Sequence, residues 1–424
     1  MKGVLAMILA GGRVDELSVL TLNRPKSSVP FGGMYRVIDF PLSNLMHSGV
    51  EKVGVLSQYR SLSLFNHIGI GSWWDFVGRE RGAAMLSPSI GHMASDWYKG
   101  TADAVFQNLE YVREQEPETV LVLSGDHIYQ MGYRRMHGYH LVKNADLTVA
   151  FLPIKVEENS RFGVAEIDDE DGEIGGKVLD YKEKPAEGNY TWASLTIFMF
   201  KPDVLYRVLG ENARNGRSHE FGRDIIPNML GKYKVYGYKF HGYWGYARTI
   251  DEYWQTNMEL LEENSKIDLH KWHVQTNLDH DKLRDRPPAV VGAKAVVERS
   301  LIQKGCRIEG EVRNSILFPG VQIEAGACVQ DSILFYDTVV KPGASLKKVI
   351  TDVEVEVGPD SAIGGGDATP NREFPKLLNS GISVLGRAVH IPRGLKLGAN
   401  CIVYPSLVEG DFKRSGYGSG VTIS

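Results

Sequence analysis

The stretch VLAMILAGG, residues 4–12, decides the fold of the N-terminal part of this chain. An apolar run leads directly into Gly11 and Gly12, which is typical of a buried strand that ends in a tight turn. Two glycines in this place let the backbone approach a bound ligand where a Cβ atom would collide. The stretch therefore predicts a core strand whose carboxyl end opens onto a ligand site.

Similar apolar runs recur through the first 285 residues, at Val53–Leu56, Val120–Leu123 and Leu147–Leu152. They alternate with amphipathic stretches of helical length such as Ala102–Glu114. This alternation predicts an α/β domain with a mostly parallel sheet, helices on both faces and a ligand crevice at the carboxyl ends of the strands. The loop Gly125–His127 also follows such a run, so we expect it to face the same crevice as the paired glycines.

A different pattern begins after the charged, proline-containing segment at residues 282–288. SLIQ at residue 300 and SILF at residues 315 and 332 recur at a nearly constant interval. A short period of β-forming residues with turn glycines predicts a parallel β-helix, in which each coil buries its apolar face only against the next. The pattern resumes at residues 384–403, after a glycine-rich excursion. A β-sandwich with coincidental repetition is the alternative.

Length and composition narrow the possible classes of protein. The 424 residues are enough for two domains, which we place at residues 1–285 and 286–424. A formal net charge of −4 without a basic tract argues against a nucleic-acid or membrane partner. The apolar run at the start is too short for a secretory leader, so we expect a cytoplasmic protein. The three cysteines lack metal-type spacing and are expected to be buried free thiols.

From Arg24 onward, the segment RPKSSVPFGG closely resembles the ADP-glucose pyrophosphorylase (glucose-1-phosphate adenylyltransferase) family. The resemblance covers nearly the whole chain and continues in WYKGTADAVFQN at residue 97, SGDHIYQMGY at residue 124 and YKEKP at residue 181. It implies a Rossmann-like nucleotidyltransferase domain followed by a left-handed β-helix. The implied reaction forms ADP-glucose and pyrophosphate from ATP and glucose 1-phosphate in glycogen biosynthesis, with Mg²⁺ as cofactor.

The resemblance also implies the site residues. Nucleotide-binding positions are Gly11, Gly12, Gly100, Thr101 and Asp103. Substrate-binding positions are Tyr98, Gly163, Glu183, Lys184 and Ser194, of which Glu183 binds sugar hydroxyls and Lys184 binds the sugar phosphate. Catalytic positions are Lys26 and Asp126, and Asp126 is also the candidate Mg²⁺ ligand.

Several of these residues have a purely structural explanation as well. Thr101 fits the N-cap of a helix with Asp103 in its first turn, and a helix N-terminus is itself favourable for anions. An aspartate after a strand is often a turn former, and Lys184 beside Glu183 fits an ordinary surface pair. For Asp126 the metal role is favoured, because nucleotidyl transfer needs hard oxygen ligands for Mg²⁺.

The resemblance breaks at two linked places. After the paired glycines this chain reads RVDEL at residues 13–17. Val14 therefore replaces the glycine that makes room for the triphosphate in the family, and Glu16 replaces the arginine with which the family grips it. In YWGYARTID at residues 243–251, Tyr246 replaces a second metal-binding aspartate and Arg248 replaces a glycine. A Glu16–Arg248 ion pair across the vacated triphosphate space is one hypothesis, and chance drift of both positions is the other.

Smaller departures affect the sugar side and the control of activity. Thr196 replaces a family glycine in ASLTIFMF, residues 193–200, and is expected to narrow the sugar pocket. Glu220 stands for the usual aspartate. Met34 replaces an activator-site lysine, although Arg36 is kept.

Three functions remain open on the sequence alone. The first is an active glucose-1-phosphate adenylyltransferase, which the whole-chain resemblance favours. The second is a catalytically weak or inactive paralogue that binds sugar phosphate or nucleotide as a regulatory subunit, because each lost charge contact commonly costs on the order of a hundred-fold in rate. The third, a different nucleotidyltransferase or an acyltransferase using the β-helix, has only His390 as a candidate base. Flat apolar coil faces and an open β-helix end predict a homo- or hetero-tetramer.

Overall fold

The computed structural model describes residues 1–12, 14–88, 97–215, 217–280 and 282–424. Arg13, the basic residue of the rewritten loop, lies outside the described residues. Residue contacts divide the chain into two compact units. The first comprises residues 1–12, 40–61 and 68–244, and the second comprises residues 13–39, 62–67 and 245–424. The domain boundary placed at residue 285 stays a prediction.

A nine-stranded sheet forms the centre of the first unit. Its strands are β1 (Val4–Leu9), β2 (Lys52–Leu56), β3 (Gly82–Leu86), β4 (Thr119–Ser124), β5 (Leu147–Pro153), β6 (Gly163–Ile167), β7 (Gly175–Glu183), β8 (Trp192–Phe200) and β9 (Val235–Lys239). They are arranged in the order β3-β2-β1-β4-β8-β5-β9-β7-β6. The strands pair in parallel except that β7 and β8 are antiparallel to their neighbours. The mostly parallel sheet is confirmed with these two exceptions. The strand predicted at Val4–Leu9 has the observed bounds, and the other three predicted strands are longer by one or two residues.

The helices of the chain are short. They are α1 (Asp39–Ser48), α2 (Leu62–Ile68), α3 (Thr101–Gln107), α4 (Leu109–Glu114), α5 (Tyr133–Val142), α6 (Pro202–Asn215), α7 (Ile226–Met229) and α8 (Ile250–Glu259). The segments of 3₁₀ or π helix are Asp15–Thr21, Lys26–Ser28, Ser72–Trp74, Val156–Arg161, Phe221–Ile225 and Glu409–Asp411. No helix among the described residues is long and apolar enough to cross a membrane.

The predicted helix at residues 102–114 is interrupted at Asn108. The side-chain amide of Asn108 donates to the carbonyl of Ala104 at 2.8 Å and to the hydroxyl of Tyr98 at 3.0 Å. Asparagine side chains that bond to a nearby backbone carbonyl compete with the helical hydrogen-bond pattern. Helices α3 and α4 are therefore separate, and the break anchors Tyr98.

The two predicted crevice loops lie at the same edge of the sheet. The amide of Gly125 donates to the carbonyl of Leu9 at 2.9 Å, because β4 is paired with β1 in parallel. A Cβ atom on Gly11 would lie 2.8 Å from the backbone of Ser57 and Gln58, which follow β2. The close approach of three strand ends therefore requires glycine at residue 11.

Three parallel ladders of short strands form a β-helix in the second unit. One ladder contains Val290–Val291, Arg307–Ile308, Gln322–Ile323, Val339–Val340, Glu356–Val357 and His390–Ile391. The next contains Val296–Glu298, Glu311–Arg313, Cys328–Gln330, Ser345–Lys347, Ala362–Ile363, Lys396–Leu397 and Gly416–Tyr417. The third contains Leu301–Ile302, Ile316–Leu317, Ile333–Leu334, Val349–Thr351, Ser383–Leu385, Ile402–Val403 and Thr422–Ile423. The predicted β-helix is confirmed, and the sandwich alternative is wrong.

The repeated serine of SLIQ and SILF has a structural cause. The hydroxyl of Ser300 accepts from the amide of Ser315, the hydroxyl of Ser315 accepts from the amide of Ser332, and each of these distances is 3.1 Å. The hydroxyl of Ser332 continues the series by accepting from the amide of Val349 at 3.1 Å. Buried amides need a partner, so a small hydroxyl side chain recurs once in each coil.

The cysteines all lie in the β-helix as free thiols. Cys306 and Cys401 are buried as expected, whereas Cys328 is partly exposed. Burial raises the pKa of the Cys306 and Cys401 thiols, which therefore stay protonated and act as small apolar side chains.

Replacing Leu346 by alanine is expected to destabilise the β-helix by about 2–5 kcal/mol, because the side chain is only 1% exposed and its removal leaves a cavity. The matched control is Lys347→Ala on the same strand, since the Lys347 side chain is exposed. This control is expected to change stability by less than about 0.5 kcal/mol. Urea unfolding of both variants measures the difference, and equal effects would contradict the assignment of the coil interior.

Candidate active site

Asp126 lies two residues beyond the end of β4, at the crevice edge of the first unit. Its Oδ1 atom accepts a hydrogen bond from the hydroxyl of Ser124 and lies 3.3 Å from Nε2 of His127. Within the described ranges, no group of three or more His, Cys, Asp or Glu side chains is placed to hold a metal ion. Asp126 therefore offers one carboxylate, which fits a Mg²⁺ ion that takes its other ligands from phosphate and water.

Two aromatic side chains connect the region of Asp126 with the segment that contains Lys184. The ring of Trp244 packs edge-on against His127, with 4.8 Å between the ring centroids, and against Phe162, with 5.6 Å. The carbonyl of Phe162 accepts a hydrogen bond from the amide of Lys184 at 2.9 Å. The structure therefore brings Asp126 and Lys184 to one continuous wall, whose aromatic members the sequence did not identify as site residues.

Glu183 is held in a narrow recess. The hydroxyl of Tyr181 donates to Oε2 of Glu183 at 3.1 Å. A Cβ atom on Gly163 would lie 2.6 Å from the same oxygen, and a Cβ atom on Gly222 would lie 2.9 Å from the carboxyl carbon. Any side chain at either glycine would displace the carboxylate, so both glycines are required by the position of Glu183.

Burial raises the pKa of Glu183, while the hydrogen bond from Tyr181 and the charge of Lys184 act in the opposite direction. Ser194 joins the same group, because its side chain lies close enough to Tyr181 to lower the pKa of the Tyr181 hydroxyl, although burial raises that pKa overall. The structure thus brings together Gly163, Glu183 and Ser194, which the sequence had placed in one site. Tyr181 was missed, although it stands in the YKEKP motif.

Tyr98 and Gly100 are fixed by packing within the first unit. The amide of Tyr98 donates to Oε1 of Gln58 at 2.7 Å, so the segment touches the chain that follows β2. A Cβ atom on Gly100 would collide with the carbonyl of His219. Gly12 differs from both, because a Cβ atom there would meet nothing within 4 Å.

The expected role of Thr101 as an N-cap is wrong. Gly100 is the N-cap of α3, and the hydroxyl of Thr101 instead accepts from the amide of Phe221 at 3.1 Å. Asp103 lies in the first turn as predicted, where its Oδ2 atom accepts from the amide of Lys99 at 2.9 Å. Asp103 therefore supports the loop in which Tyr98 lies, whereas Thr101 ties the start of α3 to the turn at Phe221–Ile225.

Glu16, in the loop at residues 13–17, forms the hypothesised ion pair with Arg248 within the second unit. Oε1 of Glu16 lies 3.0 Å from Nε and 2.9 Å from Nη2 of Arg248. Nη1 of Arg248 donates to the hydroxyl of Tyr246 at 3.2 Å, and the ammonium group of Lys26 lies 5.2 Å from the centre of the Tyr246 ring. Burial acts to lower the pKa of Arg248, but Tyr246 and Glu16 outweigh it and raise that pKa. Glu16, Arg248, Tyr246 and Lys26 thus form one connected group of side chains, called the charge chain below.

Arg36 is also engaged within the second unit. Its guanidinium donates to the hydroxyl of Ser28 at 3.0 Å and to the carbonyl of Ser63 at 2.7 Å. A third contact, of 2.7 Å, joins it to the ring of His280. Burial lowers the pKa of Arg36. An activating anion would therefore have to compete with contacts that this arginine already makes.

Comparison with known proteins agrees with this architecture. Residues 5–263 match the family model "Nucleotidyl transferase", and residues 289–385 match the model "GlmU-like, C-terminal hexapeptide". A glucose-1-phosphate adenylyltransferase of Thermotoga neapolitana is 41% identical over 425 residues, which cover 99% of this chain and 98% of the relative. The enzyme of the same name from Thermomicrobium roseum is 41% identical over 100% of this chain and 98% of the relative. That from Acetivibrio thermocellus is 39% identical over 97% and 95%.

The largely parallel sheet is followed in the same chain by a left-handed β-helix, and each part matches a known family model. The protein is therefore a nucleotidyltransferase with a C-terminal β-helix. Within that class, the chain belongs to the glucose-1-phosphate adenylyltransferase family.

Replacing Glu183 by glutamine is expected to stabilise the protein more at pH 7 than at pH 4. The native pKa of Glu183 lies above its ordinary value of 4.5, so the ionised carboxylate opposes folding at neutral pH and ceases to do so as the proton binds. Urea unfolding of both proteins at several pH values measures the difference. Glu187→Gln is the control because its side chain is exposed, and a pH-independent effect of Glu183→Gln would contradict the expectation.

Proposed function

We propose that this protein transfers the adenylyl group of ATP to glucose 1-phosphate, which yields ADP-glucose and pyrophosphate for glycogen biosynthesis. The observation that carries the proposal is the recess around Glu183, in which Tyr181 and two glycines position a carboxylate beside Lys184. Names shared by relatives over nearly the full chain support the same reaction.

On the sugar side, Glu183 accepts hydrogen bonds from hexose hydroxyls and Lys184 binds the phosphate of glucose 1-phosphate. Ser194, Gly163 and Tyr98 complete this substrate site. Charge-assisted hydrogen bonds of the lysine to phosphate are about twice as strong as neutral ones, which suits Lys184 to hold the attacking group. The nucleotide side is formed by Gly11, Gly12, Gly100, Thr101 and Asp103.

In the reaction, a phosphate oxygen of glucose 1-phosphate forms a bond to the α-phosphorus of ATP while the bond to the β-phosphate oxygen breaks. Pyrophosphate leaves with the electron pair. Asp126 would hold the Mg²⁺ ion, which when bound supplies positive charge beside the reacting phosphates. Lys26 provides a second cation on the phosphate side, and Lys184 keeps the attacking oxygen in position.

A second candidate function is a catalytically weak regulatory subunit of a hetero-oligomeric pyrophosphorylase. It is favoured by one observation, the ion pair between Glu16 and Arg248. Glu16 places negative charge where the family has a cation, and Tyr246 is a poor ligand for Mg²⁺ because the ion prefers charged oxygen. A cytoplasmic tetramer, with itself or with an intact paralogue, fits both functions.

The first test is pyrophosphate release from ATP and glucose 1-phosphate with Mg²⁺, by this protein alone and mixed with a catalytically intact paralogue. Activity of the protein alone supports the transferase, and activity of the mixture above that of the paralogue alone supports the regulatory subunit.

Lys184→Ala is expected to weaken glucose 1-phosphate binding about ten- to hundred-fold, because a charged hydrogen bond is lost. Lys182→Ala is the matched control, since that side chain is 57% exposed. Unchanged binding by Lys184→Ala would contradict the sugar-phosphate role.

The second test restores the residues that the family has at positions 14, 16, 246 and 248. If Glu16 and Arg248 close the triphosphate space, ATP-Mg²⁺ binds far more weakly than glucose 1-phosphate. The set Val14→Gly, Glu16→Arg, Tyr246→Asp and Arg248→Gly is then expected to raise turnover on the order of a hundred-fold or more, because a phosphate cation and a metal carboxylate are both returned. Arg248 must be changed together with Glu16, since two adjacent cations would repel.

High turnover by the unmodified protein, with no gain in the fourfold variant, would overturn the regulatory function. Calorimetric titration with ATP-Mg²⁺ separates restored binding from restored chemistry.

A further inference from the structure

A cluster of left-handed backbone conformations marks the sugar side of the crevice. Lys184, Thr196 and His219 have φ angles of 48°, 55° and 55°. Elsewhere in the first unit, Asp75, Glu116 and Asn144 have similar angles but follow helical turns closely, where the left-handed conformation commonly ends a helix, and Arg60 has a φ of 43° in the bend before α2. The three clustered residues have no such position in the fold.

Thr196 is the most unusual of the three, because a β-branched residue with positive φ is a genuine outlier. It lies in β8, where pairing with β5 shifts register between Ser194 and Phe198. Its amide donates to the hydroxyl of Ser194 at 3.4 Å, which holds the bend. Backbone strain of this kind persists only where the surroundings enforce it, and it concentrates at functional sites.

The side chain of Thr196 remains accessible although its neighbours do not. Leu195 and Ile197 are 0% and 1% exposed, whereas Thr196 is half-buried. In the part of the chain that the structure describes, the Thr196 hydroxyl has no hydrogen-bond partner. A strained residue thus leaves a hydroxyl and a methyl group partly exposed two residues after Ser194.

A short series of contacts connects the backbone of Thr196 with the recess around Glu183. The amide of Thr196 donates to the hydroxyl of Ser194, the Ser194 side chain lies close enough to Tyr181 to lower the pKa of its hydroxyl, and that hydroxyl donates to Glu183. Resting on the proposed function, we propose that Thr196 is a specificity-determining residue for the hexose 1-phosphate. Its hydroxyl hydrogen-bonds to the hexose, and its methyl group excludes hexose 1-phosphates that carry an N-acetyl substituent.

The test is calorimetric titration with glucose 1-phosphate and with N-acetylglucosamine 1-phosphate, accompanied by thermal unfolding. Thr196→Gly is expected to weaken glucose 1-phosphate binding about ten-fold and to reduce the preference over the N-acetyl sugar. Its melting temperature is expected not to fall, because glycine adopts positive φ without strain. Loss of affinity together with retained or higher stability separates a binding role from a structural one.

Two further variants divide the role between the two groups of the side chain. Thr196→Val keeps the shape and removes the hydroxyl, so it should weaken glucose 1-phosphate binding while still excluding the N-acetyl sugar. Thr196→Ser should do the opposite. Glu116→Gly is the control, because it relieves a φ of 44° at an exposed residue and should leave both affinities unchanged.

The outcomes distinguish the inference from the function on which it rests. If the wild-type protein binds no glucose 1-phosphate, the proposed function is overturned. If the wild type binds it and all three Thr196 variants keep the same affinity and preference, the inference alone is overturned. Should Thr196→Gly fail to fold, the valine and serine variants decide the question by the same titrations.

Discussion

The parallel pairing of β1 with β2 on one side and β4 on the other is the constraint on which the crevice of the first unit depends. Three strands that run together must end together, and their following loops then crowd into one place. The crowding explains why Gly11 has no room for a side chain against Ser57 and Gln58. The same pairing carries Asp126 to this edge, where a carboxylate can stand beyond a buried strand without losing contact with water.

The charge chain of the second unit raises a question of magnitude. The Glu16 and Arg248 side chains are 29% and 37% exposed, and ion pairs so open to solvent contribute only about 0–1 kcal/mol. On the proposed function, breaking the pair would therefore be a small obstacle to the binding of a triphosphate. The sign of the charge matters more, because Glu16 repels phosphate whether or not Arg248 is beside it. Arg248 would offset part of this repulsion, since its positive charge can interact with phosphate once the ion pair opens.

Much of the fold could be predicted because its signals are local or repeated. The recurring SILF predicted the β-helix, since each coil repeats the same apolar contacts and the same serine hydroxyl. Apolar runs between turns predicted β4 and β5 within two residues. The break at Asn108 was missed because it depends on a side chain that turns back to its own helix, which periodicity does not reveal.

The site residues that stand in recognisable motifs could be predicted from the sequence. The residues that strand register brings beside them could not. Glu183 and Ser194 stand in strings that resemble the family, whereas the walls around them come from Gly163 in β6 and Gly222 in a separate turn. Their meeting depends on how the strands are aligned, and a shift of one residue would turn each side chain to the other face.

The recess around Glu183 contains groups that oppose folding. A half-buried carboxylate with a raised pKa lies there, and Lys184, the next residue along the chain, has a left-handed backbone. Such groups oppose folding and persist because the surrounding sheet and aromatic core outweigh them. A bound hexose would supply hydrogen-bond donors to the Glu183 carboxylate and would favour its charged form. On the proposed function, the hydroxyl groups of the hexose would therefore offset part of the cost that this carboxylate imposes on folding.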